Sequence, residues 1–123
     1  MKVKDIMTSE IRTCSPRTDL AAAAALLLDG DCGILPVVSD GTLVGVVTDR
    51  DMYIALATRN TRASDMTTGE VMRTPVYTCG PDDDVQTALD TMKQHRLRRL
   101  PVEGFGSTIM GLSLIHISEP TRH

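Results

Sequence analysis

The feature that most constrains this chain is that it repeats itself. Sliding the sequence along itself by 65 positions sets Ile6-Met7 against Val71-Met72 and Thr13-Cys14 against Thr78-Cys79. In the same register Pro16 meets Pro81, Asp19-Leu20 meets Asp84-Val85, Ala23 meets Ala88 and Leu27 meets Met92. Leu35-Pro36-Val37 meets Leu100-Pro101-Val102, and Gly41 meets Gly106. Chance does not keep so many matches in one register, so the chain is two copies of a unit of about 60 residues. A lone unit of that size is marginal, because it buries too little of its own apolar surface. Two copies packed sheet against sheet would cover each other's apolar faces, with a pseudo-two-fold axis relating them.

Each copy reads as β-α-β-β-α. A short helical lead-in, Lys4 to Met7, precedes an extended stretch from Ile11 to Cys14. Ser15 to Asp19 is turn and helix-start chemistry with Thr18 as the expected N-cap. Leu20 to Asp29 is rich in Ala and Leu, the best helix formers, and Gly30 ends it. Ile34–Val38 and Leu43–Val47 read as strands joined at Asp40-Gly41, a two-residue hairpin signal. The continuous apolar run of the second strand predicts burial on both faces. A second helix is expected over Asp49–Arg59, followed by a polar linker from Asn60 to Thr67. Copy two predicts strands at Val76–Cys79, Leu100–Val102 and Ile109–Leu112 and a helix near Asp84–His95. The fold class is therefore α/β (α+β), with a three-stranded sheet and helices on one face in each copy.

Composition narrows the function. Hydrophobic residues make up 41% of 123 residues, enough for a core, but aromatics are 2% with no Trp. Stacking platforms for nucleic acid need exposed aromatic rings, and the net charge of −3 offers no basic stripe, so no nucleic-acid partner is expected. The one basic cluster, Lys93, His95, Arg96, Arg98 and Arg99, suits a phosphate site or a solvated face. Cys14, Cys32 and Cys79 have no CxxC or Cys/His spacing, so no metal is expected and reduced thiols in the cytoplasm fit. The charged start Met1 to Asp5 does not read as a signal peptide, and Leu20–Leu28 is too short to span a bilayer, so no membrane association is expected. His95, His116 and His123 form no cluster with acids or thiols, and no nucleophile–base pair follows from spacing, so no enzyme is expected.

The pattern resembles a pair of CBS motifs, a Bateman module, from about residue 2 to residue 112. The resemblance rests on Asp5-Ile6-Met7, Thr13-Cys14-Ser15-Pro16, Gly33-Ile34-Leu35-Pro36-Val37-Val38 and Gly45-Val46-Val47-Thr48-Asp49-Arg50-Asp51. In copy two it rests on Glu70-Val71-Met72, Thr78-Cys79-Gly80-Pro81 and His95-Arg96-Leu97-Arg98-Arg99-Leu100-Pro101-Val102. It divides the chain into motif 1 over 1–62, an incomplete motif 2 over 63–112 and an aberrant tail over 113–123.

The resemblance implies a regulatory module that binds AMP, ADP, ATP or a related adenosyl compound in the cleft of the pair, dimerises and signals to an unidentified partner. No cofactor is implied beyond that ligand. Thr48 and Asp51 match the family's Ser/Thr-x-x-Asp signature, in which the acid accepts from the ribose hydroxyls and the hydroxyl residue faces the phosphate. The same spacing at a helix start is also a capping box. Arg50, Arg98 and Arg99 are candidates to hold phosphate against Asp49 and Asp51. Gly33, Ile34, Leu35, Pro36 and Val37 would wall the adenine, or serve only as strand core. Thr13 and Ser15 would meet its edge, or serve only the turn. A non-binding scaffold for dimerisation or protein interaction is the alternative reading of the chain.

The repeat fails after Leu112. Ser113 to His123 carries no carboxylate in register with Asp51, and Pro120 breaks any helix there. The tail reads as non-native, which predicts a crippled second site and a module less stable than a complete pair.

Overall fold

The computed structural model describes residues 1–7, 11–30, 33–74, 76–97, 99–104 and 109–112. The expectations placed on Arg98 and on the tail lie outside them. The chain forms two compact units, one spanning Arg12–Val76 and the other joining Met1–Ile11 to Tyr77–His123.

In the Arg12–Val76 unit, helix α1 (Leu20–Gly30) leads into strands β1 (Ile34–Ser39) and β2 (Thr42–Thr48), then helix α2 (Asp49–Arg59) and a single helical turn, α3 (Thr68–Val71). Strands β1 and β2 pair antiparallel from Ile34↔Thr48 to Ser39↔Thr42, with a bulge at Val37/Val38. Asp40 and Gly41 turn the hairpin with φ of 52° and 79°, the two positive values that the Asp-Gly pair supplies. In α1 the buried Leu20, Ala23 and Leu27 fall on one stripe at helical spacing. They pack with Cys14, Leu35, Val37, Val47, Met52, Ala55 and Met66 in one core.

Three local expectations change. The N-cap of α1 is Asp19, whose Oδ1 accepts the Ala22 N–H at 2.8 Å. Thr18 is not free to cap, because its Oγ1 accepts the Ser15 N–H at 3.1 Å. Strand β2 alternates instead of being buried on both faces: Leu43 and Val47 are buried, while Val44 and Val46 are only partly covered. Each sheet has two paired strands, since Cys14 reaches β1 only through an isolated parallel bridge to Val37. Pro16 lies two residues on, and the turn it begins ends the pairing.

In the other unit, helix α4 (Val85–His95) is followed by strands β3 (Pro101–Glu103) and β4 (Ile109–Leu112), which pair antiparallel. Asp84 caps α4 by accepting the Gln86 N–H at 3.2 Å. The strand expected at Val76–Cys79 is again a single bridge, Cys79↔Val102. Val3, Cys79, Ala88, Met92, Leu100 and Val102 form this unit's core. The stacked rings of Tyr77 and His95, 3.6 Å apart, lie at its surface side.

The compact units cut the chain elsewhere than the repeats do. The lead-in of copy two packs within the unit built on copy one, and the lead-in of copy one within the other. The exchange is reciprocal down to single hydrogen bonds. Val3 N–H donates to Asp83 O at 2.9 Å and Lys4 N–H to Pro81 O at 2.9 Å; Thr68 N–H donates to Thr18 O at 2.8 Å and Gly69 N–H to Pro16 O at 2.9 Å. Val3 and its repeat equivalent Thr68 are both fully buried. The Thr68 hydroxyl also donates to Thr18 O at 2.7 Å, so its burial costs no unmet hydrogen bond. Lys2 and Lys4 pair with Asp82, whose carboxyl they hold below its usual range.

Candidate functional site

The β2–α2 junction collects the chemistry. Thr48 is the N-cap of α2 in extended backbone. Its Oγ1 accepts the Asp51 N–H at 3.2 Å, and Asp51 Oδ2 accepts the Thr48 N–H at 2.9 Å. This is a complete capping box, and it fixes the carboxylate rather than leaving it to rotate. Asp51 is nearly buried, at 8% exposure, and its Oδ1 accepts from Arg73 Nε at 2.7 Å. A carboxylate so placed stays in the apolar interior because its charge is paired and hydrogen-bonded.

Arg73 is held at its other end as well. Its backbone bridges β2 beside Val46, donating N–H to Val46 O at 2.8 Å and accepting Val46 N–H at 3.3 Å. That approach needs Gly45, because a Cβ there would stand 2.6 Å from Met72 Sδ and 3.2 Å from the Arg73 carbonyl oxygen. Asp51 also lines a surface pocket of about 160 Å³ with Ile54, Ala55, Thr58, Arg59 and Val71. Arg59 is engaged there by Glu70, through the carbonyl at 3.1 Å and the carboxylate at 3.6 Å. The Thr67 N–H and hydroxyl, with Arg59, hold the Glu70 carboxyl below its usual range.

The other expected site residues are spread over several elements. Ile34 is the register partner of Thr48, so the start of β1 lies beside the cap. Gly33, just before it, is exposed with φ of 75°, a left-handed conformation that suits glycine. Thr13 and Ser15 flank Cys14, whose N–H donates to Pro36 O at 3.1 Å, so that segment runs along β1. Ser15 is tied into its own turn, bonding Thr18 and accepting the Arg17 N–H at 3.2 Å. Leu35, Pro36 and Val37 are buried, with Leu35 and Val37 in the core of the unit. Arg50 is exposed on the first turn of α2, its N–H bonded to Asp49. Arg99 lies in the other compact unit.

Arg73 is the residue that sequence reasoning missed. It contacts Asp51 across 22 positions, and no local pattern announces such a pair. Cys14 and Cys79 are buried free thiols, both raised in pKa by burial, Cys79 to about 12 with help from the Asp83 charge. Neither is a nucleophile at neutral pH. Among the described residues no group of acids, histidines and thiols could hold a metal ion, and no helix is long and apolar enough to cross a membrane.

Two segments, residues 3–58 and 69–112, match the CBS domain family, and the chain belongs to it. Residues 113–123 fall outside the match. The CBS domain-containing protein YhcV of Bacillus subtilis is 37% identical over 100 residues, covering 81% of this chain and 71% of that protein. Hypoxic response protein 1 of Mycobacterium tuberculosis is 32% identical over 100 residues, covering 80% of this chain and 70% of that protein. The solved CBS domain pair of protein MJ0100, in complex with 5′-methylthioadenosine and S-adenosyl-L-methionine, superposes with a TM-score of 0.87 at 27% identity, covering 98% of this chain and 94% of that one.

Proposed function

We propose that this chain is a cytoplasmic regulatory module that binds an adenine nucleotide through Asp51 and passes the bound state to a partner protein. The observation that carries the reading is the state of Asp51: a nearly buried carboxylate, fixed by Thr48 and Arg73, at the wall of a pocket. Two ionised oxygens offer roughly four acceptor positions, and the protein uses two, so a vicinal diol has acceptors waiting for both its O–H groups. Membership of a family in which a solved pair holds two adenosyl compounds supports the choice of ligand. Thr48 Oγ1 accepts the Asp51 N–H and so fixes Asp51, while its O–H keeps a donor to turn toward a ligand phosphate. Signalling follows if the nucleotide favours one arrangement of the module over another, by no more than its difference in affinity for the two.

The test is isothermal titration calorimetry of AMP and ATP into the chain and into Asp51→Ala, with thermal melts showing that both are folded. Saturable binding in the parent, weakened at least about tenfold in the variant, is expected, since a hydrogen bond to a charged group is worth about 1.5–3 kcal/mol. Equal binding by both proteins, or none by the folded parent, sinks the reading.

One observation favours an interaction role beside ligand binding. Helix α2 buries Met52 and Ala55, yet Tyr53, Ile54 and Leu56 are 77%, 49% and 47% exposed. Tyr53 and Leu56 are large apolar groups left open to solvent over much of their surface, which suits a homodimer through α2. Sedimentation equilibrium at micromolar concentration is expected to show a dimer that Tyr53→Glu with Leu56→Glu converts to monomer. A monomeric parent, or a dimer indifferent to both changes, refutes it.

A further inference from the structure

We infer that Arg73 is the specificity residue of the Asp51 site and makes it select ligands that carry an anion beside the ribose. The inference rests on the nucleotide reading above and adds to it the charge of the ligand. The guanidinium engages Asp51 through Nε alone. Neither Nη makes a hydrogen bond or ion pair among the described residues, so its outer donors remain available, and the side chain is 53% exposed. A planar fork held at one end presents the rest of its donors in a fixed direction, which suits the oxygens of a phosphate.

The neighbouring charges single Arg73 out. Arg59, the cation that lines the pocket, is already bound to Glu70, whereas Arg73 meets the site through Asp51. Asp49 and Asp51 place two acids on the first turn of α2, where they oppose an anion. Arg50, on that turn, is exposed, and among the described residues nothing bonds its side chain to aim it. Arg73 is pinned at its backbone by β2 and at its head by Asp51, so little side-chain freedom remains to be lost on binding. An acid that takes the diol and a cation fixed to that same acid form a two-armed reader. A nucleoside monophosphate satisfies both arms. A neutral thioether nucleoside satisfies only the first.

The experiment is calorimetric titration of AMP and of 5′-methylthioadenosine into the parent chain, Arg73→Gln and Arg73→Lys. The parent is expected to prefer AMP. Arg73→Gln is expected to weaken AMP about tenfold or more while moving 5′-methylthioadenosine by less than about threefold, and Arg73→Lys to restore part of the preference. Equal losses for both ligands make Arg73 only a prop for Asp51 and overturn the inference. So does an unchanged ratio in a variant that binds both. If neither ligand binds the folded parent or Arg73→Gln, the nucleotide reading itself fails and takes this inference with it.

Discussion

Leu35→Ala and Leu100→Ala are each expected to destabilise the chain by about 2–5 kcal/mol, the range for truncating a buried leucine. The two leucines are repeat equivalents. They are 1% and 0% exposed, and each sits in a different core. The cost has two parts: the lost transfer of the removed methyls from water, and the cavity left when neighbours cannot close over it. Val37 and Val47, both fully buried, hem in Leu35, and the rigid pairing of β1 with β2 limits collapse. Against a total of about 5–15 kcal/mol such a loss is large. Urea unfolding gives the magnitude, and hydrogen exchange gives the place. Exchange is expected to quicken first in residues 12–76 for Leu35→Ala, and in residues 1–7 and 77–104 for Leu100→Ala. A loss under about 1 kcal/mol in either variant means that its core is not packed as described.

What the sequence disclosed follows from how far each rule reaches. Asp40-Gly41 announced its turn because the constraint lies in the two residues themselves, and both φ values are positive as required. The Thr48–Asp51 box and the limits of α1, α2 and α4 were legible for the same reason: caps act across three or four positions. The error at Thr18 shows where such rules stop. Two adjacent residues could both cap, and a side-chain bond to Ser15 left the task to Asp19. The reciprocal exchange of lead-ins was not legible, although the repeat that underlies it was. A repeat fixes which residues are equivalent, not which copy they pack against. The Asp51–Arg73 pair was hidden in the same way, since it exists only once the lead-in of copy two has docked on β2. Of the candidate site residues, Thr48 and Asp51 came together through local chemistry. Leu35, Pro36 and Val37 proved to be buried in β1, a role that their apolar character fits equally well.

Gly45→Ala is expected to cost about 1–3 kcal/mol, the penalty for forcing extra volume into a filled site. The glycine is not in left-handed backbone, so the reason is space alone. A new Cβ would stand 2.6 Å from Met72 Sδ, 3.0 Å from Met72 Cγ and 3.2 Å from the Arg73 carbonyl oxygen. The methionine tail is flexible and can swing aside. The carbonyl cannot move alone, because it accepts the Val46 N–H and belongs to the bridge that seats Arg73. Relief therefore pushes the Arg73 backbone off β2 and draws its guanidinium away from Asp51. Gly80→Ala is the matched control, as its Cβ would meet nothing nearer than the Asp83 carboxylate at 3.5 Å, an ordinary contact. Thermal melts of the two variants should separate them, with Gly80→Ala close to the parent. If the seat of Arg73 also sets ligand choice, Gly45→Ala should lose part of the preference for AMP over 5′-methylthioadenosine while Gly80→Ala keeps it. A Gly45→Ala protein as stable as the parent, with the preference intact, would show that β2 and the Arg73 segment are not as closely seated as this geometry requires.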